Sequence, residues 1–320
     1  MDGVVVNTME YDGYGNILSK NGKVYTYGDD DWKDKLTAYD GQAITYDAQG
    51  NPVSYLGHTL TWEKGRQLKS FDSNTYTYNA NGIRTSKTVN GVKHTYTLDG
   101  TKILMESWPE VGEDNVEHTR VLKPLYDNEE NVCGILYGDI PYYFLKNLQG
   151  DIIAITNQNG VTLVRYAYDA WGACTIIEDN SNCNIATINP FRYRGYYYDA
   201  EIGMYYLQSR YYCSDLARFL NSDSANYLGS SCLLVSYNVF IYCDNEPITK
   251  WDPVGNFAIV IAGVLISIET LLAYLIFVAC AVALAYLAQQ IVLILSKQIA
   301  NLLEDLFQSL EYSLEQALKK

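Results

Sequence analysis

The chain has 320 residues, 48% of them apolar, and a formal net charge of −14, which makes it globular and long enough to bury a sizeable core. No cluster of Lys and Arg interrupts the acidic composition, which argues against a nucleic-acid partner because phosphate binding rests on grouped cations. Seven cysteines stand scattered without a Cys-x-x-Cys pair or a nearby His, so no metal site and no cofactor is expected, and Cys174 with Cys183 is the pair close enough for a local disulfide.

Met1-Asp2-Gly3-Val4 has neither a basic region nor an apolar run, so no cleavable signal is read there. The chain opens almost at once into a repeat, as a piece of a longer protein or as one exported by another device. Tyr11-Asp12-Gly13-Tyr14-Gly15-Asn16 returns as Tyr46-Asp47-Ala48-Gln49-Gly50-Asn51 and, degraded, as Tyr78-Asn79-Ala80-Asn81-Gly82-Ile83, about 32 to 35 residues apart. Between the copies, Val24-Tyr25-Thr26-Tyr27, His58-Thr59-Leu60-Thr61-Trp62 and Thr75-Tyr76-Thr77-Tyr78 alternate at the strand period, which puts an aromatic stripe on one face. Each unit therefore predicts a β-hairpin whose Gly supplies positive φ and whose Asp or Asn caps the turn. Asp12, Asp47 and Asp169 are accordingly turn residues. Stacked hairpins of this kind give a solenoid or spiral sheet, in which Tyr contributes buried ring area while its hydroxyl tolerates a wet surface.

From Leu98 to Asp139 the pattern loosens, and Trp108-Pro109-Glu110 through Glu117 reads as an acidic loop. Tyr142 to Ile155 restores a strand, a turn at Gln149-Gly150 and a second strand, and Val161 to Tyr168 and Tyr196 to Tyr212 continue in the same style. Arg192, Arg194 and Arg210 are expected to pair with carboxylates in so acidic a body, and His58, His94 and His118 to be satisfied or solvated. From Phe257 to Leu295 the only formal charge is Glu269. That stretch predicts apolar helix long enough to cross a bilayer, with Glu269 as a candidate pore-lining or pairing group. Leu302, Leu303, Leu306, Leu310, Leu314 and Leu318 against Glu304, Asp305, Glu311 and Glu315 predict an amphipathic helix after it.

Two stretches resemble a known family. The first is Tyr143-Phe144-Leu145-Lys146-Asn147-Leu148-Gln149-Gly150-Asp151 with Tyr166-Ala167-Tyr168-Asp169-Ala170-Trp171-Gly172. The second runs from Asn189-Pro190-Phe191-Arg192-Tyr193-Arg194-Gly195 through Gly203-Met204-Tyr205-Tyr206-Leu207-Gln208-Ser209-Arg210-Tyr211-Tyr212 and Arg218-Phe219-Leu220-Asn221-Ser222-Asp223 to Trp251-Asp252-Pro253-Val254-Gly255. Together they resemble the Rhs-repeat-associated core found in polymorphic toxins and in the shell subunits of insecticidal toxin complexes. The resemblance implies a mainly β protein, an antiparallel β-hairpin spiral or YD-repeat shell that encloses a variable C-terminal segment. Its divisions are a hairpin array over residues 1–140, a core over 141–256, and a helical tail over 257–320.

In several members of the family the segment is freed by aspartyl self-cleavage just after Asp-Pro-x-Gly. Carried over residue by residue, this makes Asp223 and Asp252 the paired carboxyls and Pro253, Gly255 and Asn256 the cleavage region; Arg210, expected above to pair with a carboxylate of the acidic body, is beside that reading a candidate to hold a catalytic Asp. Where the family has an Asp after Arg-Tyr-Tyr this chain has Cys213, with Asp215 as the stand-in, and where many cleaving members have Leu after the final Gly it has Asn256. The resemblance implies secretion or display at the cell surface, with the rest of the YD-repeat shell upstream, an immunity protein and, through residues 257–296, a membrane as partners. The tail is then a membrane-active cargo, an anchor or packing helix, or a remnant. The rival reading is a surface interaction or carbohydrate-binding protein anchored by its tail. No other enzyme constellation is seen, since the tail has no His, Arg or Trp.

Overall fold

A computed structural model describes residues 8–112, 114–229 and 234–260. Consecutive hairpins form one eighteen-stranded antiparallel sheet from Met9–Tyr11 to Cys174–Asp179, each strand pairing with the next in sequence. The ladder passes residue 140 without a break, since Val132–Tyr137 pairs with Ile140–Lys146.

One turn chemistry builds this wall. At Asp12, Asp47, Asn79, Asp127, Asn147, Asn157 and Asp169 the side-chain Oδ1 accepts the backbone N–H groups two and four residues on. The residue three places on has positive φ: Gly15, Gly50, Gly82, Gly150, Gly160 and Gly172, but Glu130 with φ 68° in the Asp127 turn. A side chain in that region is strained by about 1–2 kcal/mol, whereas the exposed ion pair of Glu130 with Lys102 is worth a few tenths. Glu130→Gly is therefore expected to raise stability by about 0.5–1 kcal/mol, read as a higher melting temperature; a lower one would refute the strain argument.

The tyrosines do more than tolerate water. In four of these turns the tyrosine ahead of the Asx donates to a wall carbonyl: Tyr46 to Leu36 O at 3.0 Å, Tyr78 to Leu68 O at 3.0 Å, Tyr126 to Ile103 O at 3.0 Å and Tyr168 to Ile152 O at 2.7 Å. Each hydroxyl thus satisfies a backbone group that would otherwise be costly in the interior. Burial pushes the Tyr46 phenol up to about 12.

The predicted acidic loop is instead the longest hairpin of the wall, Lys102–Val111 with Glu117–Tyr126. Pro109 is tolerated there because pairing with the preceding strand stops at Thr95↔Ser107, so its missing N–H breaks no ladder bond on that side. Pro124 benefits likewise, beyond the last pair Leu122↔Glu106. The charges that suggested a loop face outward, with Arg120 Nε donating to Glu110 Oε2.

After Asp179 the chain leaves the wall and folds against its inner face as a plug. The plug has one short helix, Ile185–Ile188, and a four-stranded sheet from Tyr197–Asp199 to Arg218–Phe219. Two clusters make the core. Ile17, Ile44, Leu60, Leu68 and Tyr76 of the repeats pack with Tyr193, Tyr205, Tyr212, Phe219 and Tyr242 of the plug. Leu122, Ile135, Ile155 and Val164 pack with Ile185, Phe191 and Tyr197. Gly50 marks one docking point, because a Cβ there would lie 2.8 Å from Trp32 and 2.9 Å from Ser222.

Cys174 and Cys183 are free thiols, held apart by the extended strand Cys174–Asp179 between them. Residues 257–260 are not helical: Ile259–Val260 pairs with Lys250–Trp251 as a two-stranded sheet, which suits two β-branched residues. The remainder of the expected tail, residues 261–320 with Glu269 and the membrane-crossing stretch, lies outside the described residues. Among the described residues no helix is long and apolar enough to cross a membrane.

Candidate functional site

Trp251-Asp252-Pro253-Val254-Gly255-Asn256 is a buried variant of the repeat turn. Asp252 Oδ1 accepts the N–H groups of Val254 at 3.2 Å, Gly255 at 2.7 Å and Asn256 at 3.1 Å, and Gly255 has φ 80°. The flanking pair differs, however. Repeat turns close at Tyr11↔Ile17 and Tyr46↔Pro52, whereas this one closes at Trp251↔Ile259, longer by Phe257 and Ala258.

The plug clamps the turn from its other side. Ser209 Oγ lies 2.7 Å from Val254 O and 2.8 Å from Gly255 O, and Arg210 Nε donates to Gly255 O. A Cβ on Gly255 would meet Ser209 Oγ at 2.7 Å and Leu207 O at 2.9 Å, so only glycine fits.

Arg210 organises the charges. Its Nη2 lies 2.8 Å from Asp223 Oδ2 and 3.8 Å from Asp252 Oδ2, its Nη1 donates to Val239 O at 3.0 Å, and its guanidinium stacks 3.5 Å from the centre of the Phe219 ring. Asp223 Oδ1 accepts from Ser224 N at 2.6 Å. Burial pushes both carboxyls above the ordinary Asp range, with Arg210 partly offsetting it, and burial also lowers Arg210 itself. A cleft of about 40 Å³ bounded by Arg210, Asp223, Asp252, Asn256, Phe257 and Ala258 adjoins them. That is more than the roughly 10–15 Å³ one water needs.

The structure thus brings Arg210, Asp223, Asp252, Gly255 and Asn256 together, with Pro253 within the turn. Asp215 stands elsewhere: it is exposed in the turn between Tyr211–Cys213 and Arg218–Phe219, and its carbonyl accepts from Lys20 Nζ at 3.1 Å. Arg194 meets Asp151 at 3.7 Å, but Arg192 pairs with no carboxylate among the described residues and stacks 4.4 Å from the Tyr198 ring instead. Ser209 was not singled out in the sequence; its place beside Arg210 was the available signal.

A second buried charge centre joins wall and plug. Asp199 accepts from Arg84 Nη1, from Arg84 Nη2 at 3.1 Å and from Lys87 Nζ at 2.9 Å, and Lys87 also reaches Glu201 at 3.1 Å. Arg84 lies among the rings of Tyr206 at 4.3 Å, Tyr197 at 5.1 Å and Tyr96 at 5.3 Å.

Residues 114–248 match the teneurin YD-shell family model. A tRNA3(Ser)-specific nuclease WapA of Bacillus spizizenii is 31% identical over 80% of this chain and 11% of its own length. The double-stranded DNA deaminase toxin A of Burkholderia cenocepacia is 23% identical over 78% of this chain and 17% of its own. The crystal structure of TcdB2-TccC3-TEV superposes with a TM-score of 0.56 at 18% identity, covering 78% of this chain and 15% of that one, a likeness of fold. The chain spans about a tenth to a sixth of the curated relatives it matches. Repeat, sheet and relatives together identify it as an Rhs/YD-repeat, toxin-related protein.

Proposed function

We propose that this chain is the closing end of an encapsulating toxin shell, and that it cuts itself at the Asp252–Asn256 turn to free the segment that follows. The observation that carries the reading is the convergence of Asp223 and Asp252 on one guanidinium, beside a water-sized cleft that touches Asn256 and Phe257. Burial favours the protonated form of both carboxyls, the form that can deliver a proton to a leaving amine, while the clamp by Ser209 and Arg210 fixes the turn against them. The strand Met9–Tyr11 pairs on one side only among the described residues, and the upstream remainder of the shell is its natural partner. The released tail, with one charge between Phe257 and Leu295, is the cargo; it suits membranes rather than the nuclease or deaminase activities its relatives are named for. An immunity protein against it completes the arrangement, and secretion follows from the role.

The test is the intact mass of the full chain carrying a C-terminal tag, beside Asp223→Asn and Asp252→Asn. Wild type is expected to split next to Asn256, with both variants whole by mass and at least about a hundredfold slower to cut. If all three stay at full length, the protein is a scaffold without a protease. The freed tail is expected to release dye from lipid vesicles; none released would remove the membrane cargo.

A further inference from the structure

The Asp252 turn stands between two clefts of opposite charge, and Asn256 lines both. On one side is the small cleft in which Asp223, Asp244 and Asp252 surround the single cation Arg210. The other, of about 320 Å³, separates the turn from the repeat wall. Lys64 and Arg66 line it with Gln67, Asn81 and Ser209, and among the described residues no carboxylate does. In a chain with 37 acidic and 23 basic side chains, a cleft with two cations and no acid runs against the composition.

The wall builds Arg66 into its place. Strands His58–Glu63 and Gln67–Phe71 join through Lys64 and Gly65, at φ 44° and 91°. Behind them Asn51, fully buried in the preceding repeat turn, donates from Nδ2 to Gly65 O at 2.7 Å. The backbone is thus fixed from the rear, and it presents Arg66 half-buried at the cleft. Among the described residues neither Arg66 nor Lys64 has a carboxylate within 4 Å, and the Arg66 guanidinium makes no hydrogen bond. A guanidinium carries five N–H donors, and leaving them unmatched away from bulk water costs free energy. Its charge is felt across the turn: behind the larger effects of burial and of their own ion pair, Arg66 pulls both Asp223 and Arg210 downward.

We infer that Arg66, with Lys64, is the receptor for the carboxylate that the cut creates at the end of the core. This rests on the proposed self-cleavage and assigns the fate of its product. Hydrolysis puts the oxygen of one water on the carbonyl carbon at the cut. The carbon–nitrogen bond breaks, its electron pair stays on the nitrogen, and the two protons of the water end there. A neutral peptide group becomes a carboxylate and an ammonium. Asp223 and Asp252 repel the new carboxylate on one side, while unmatched donors attract it on the other. A guanidinium receives such a group through two parallel N–H···O bonds, which neither a peptide carbonyl nor the uncut turn can offer it. Drawing the carboxylate to the wall matters because a tail still inside a shell keeps both new ends close, and nearness favours rejoining as well as cutting. Arg66 thereby makes the cut one-way and pins the new end of the core to the wall.

The experiment lets the full-length tagged chain cut, then adds a carboxypeptidase and follows the new end of the core fragment by mass. Arg66→Gln and Arg66→Lys are run beside it, with circular dichroism to confirm the fold. Wild type is expected to resist trimming at least about tenfold better than Arg66→Gln. Arg66→Lys should keep part of that protection, and about 1 M salt should remove it from wild type while leaving Arg66→Gln unchanged. Equal trimming of wild type and Arg66→Gln, or protection that ignores salt, overturns the inference while self-cleavage stands. So does an Arg66→Gln chain that cuts more than about tenfold slower than wild type, since Arg66 would then act in the reaction and not on its product. Should Arg66→Gln fail to fold, the salt response of wild type decides, together with Lys64→Gln. That change falls on an exposed residue and is expected to speed trimming about threefold. A wild-type chain that never cuts removes self-cleavage and this inference together.

Discussion

Replacing Asp199 by asparagine is expected to lower the unfolding free energy by about 3–5 kcal/mol at neutral pH, a large part of the total for a single domain. Asp199 is the shared counter-ion of Arg84 and Lys87, which project from the wall strand Arg84–Val89 into the plug strand Tyr197–Asp199. All three side chains are almost fully shielded. An asparagine of the same shape keeps the packing but leaves two buried cations with Glu201 alone. The tyrosine rings around Arg84 recover some of this by cation–π attraction, though each such contact is worth only about 1–2 kcal/mol.

The effect also has a sign in pH. Burial pushes the Asp199 carboxyl up, but Arg84 and Lys87 outweigh burial and hold it below its usual 3.8. A depressed folded value contributes stability above the unfolded value and loses it as pH falls through the folded one. The gap between wild type and Asp199→Asn should therefore be full at pH 7 and close in strong acid, read by urea unfolding followed by tyrosine and tryptophan fluorescence. A gap below about 1 kcal/mol at pH 7 would mean that the plug is held by its apolar contacts and not by this centre.

The wall was largely legible because its turns obey local rules. A Tyr-Asp-x-x-Gly string states where the chain reverses and which side chain caps it, and the turns at Asp12, Asp47, Asn79, Asn147 and Asp169 could be read directly. The Asp127 turn hid because Glu130 stands where glycine belongs. The hairpin over Lys102–Tyr126 hid because Pro109 and surface acids are loop signals, and only the early end of pairing between neighbouring strands makes the prolines harmless.

The site divides in the same way. Asp252, Gly255 and Asn256 lie within one turn, and the family likeness joined them to Arg210 and Asp223. Asp215 was chosen for its nearness in sequence to Cys213, yet it faces solvent. Arg84 and Asp199, 115 residues apart, carry no local signal, since their pairing exists only once the plug has docked on the wall.

The largest effect at the candidate site is expected from Arg210→Met. The substitution keeps an unbranched apolar stem against Phe219 but removes the only cation within 4 Å of Asp223 and Asp252 among the described residues, and it strips the Gly255 and Val239 carbonyls of a donor. Leaving charges buried without a partner costs about 3–5 kcal/mol. Burial already raises both carboxyls in the folded state, and Arg210 lowers them; without it they rise further. Groups that hold protons more tightly when folded stabilise the fold below their unfolded value and cease to do so as pH climbs through the folded value. The variant should therefore be weakest near neutrality and recover progressively as pH falls toward the ordinary Asp value of 3.8. Adding Asp223→Asn should restore part of the loss at pH 7, because it removes one of the stranded charges. A deficit that stays constant from pH 7 to pH 4, with no rescue by Asp223→Asn, would place the role of Arg210 in its two carbonyl bonds and its stacking on Phe219. The carboxyls would then be bystanders to folding, left to be judged by cleavage alone.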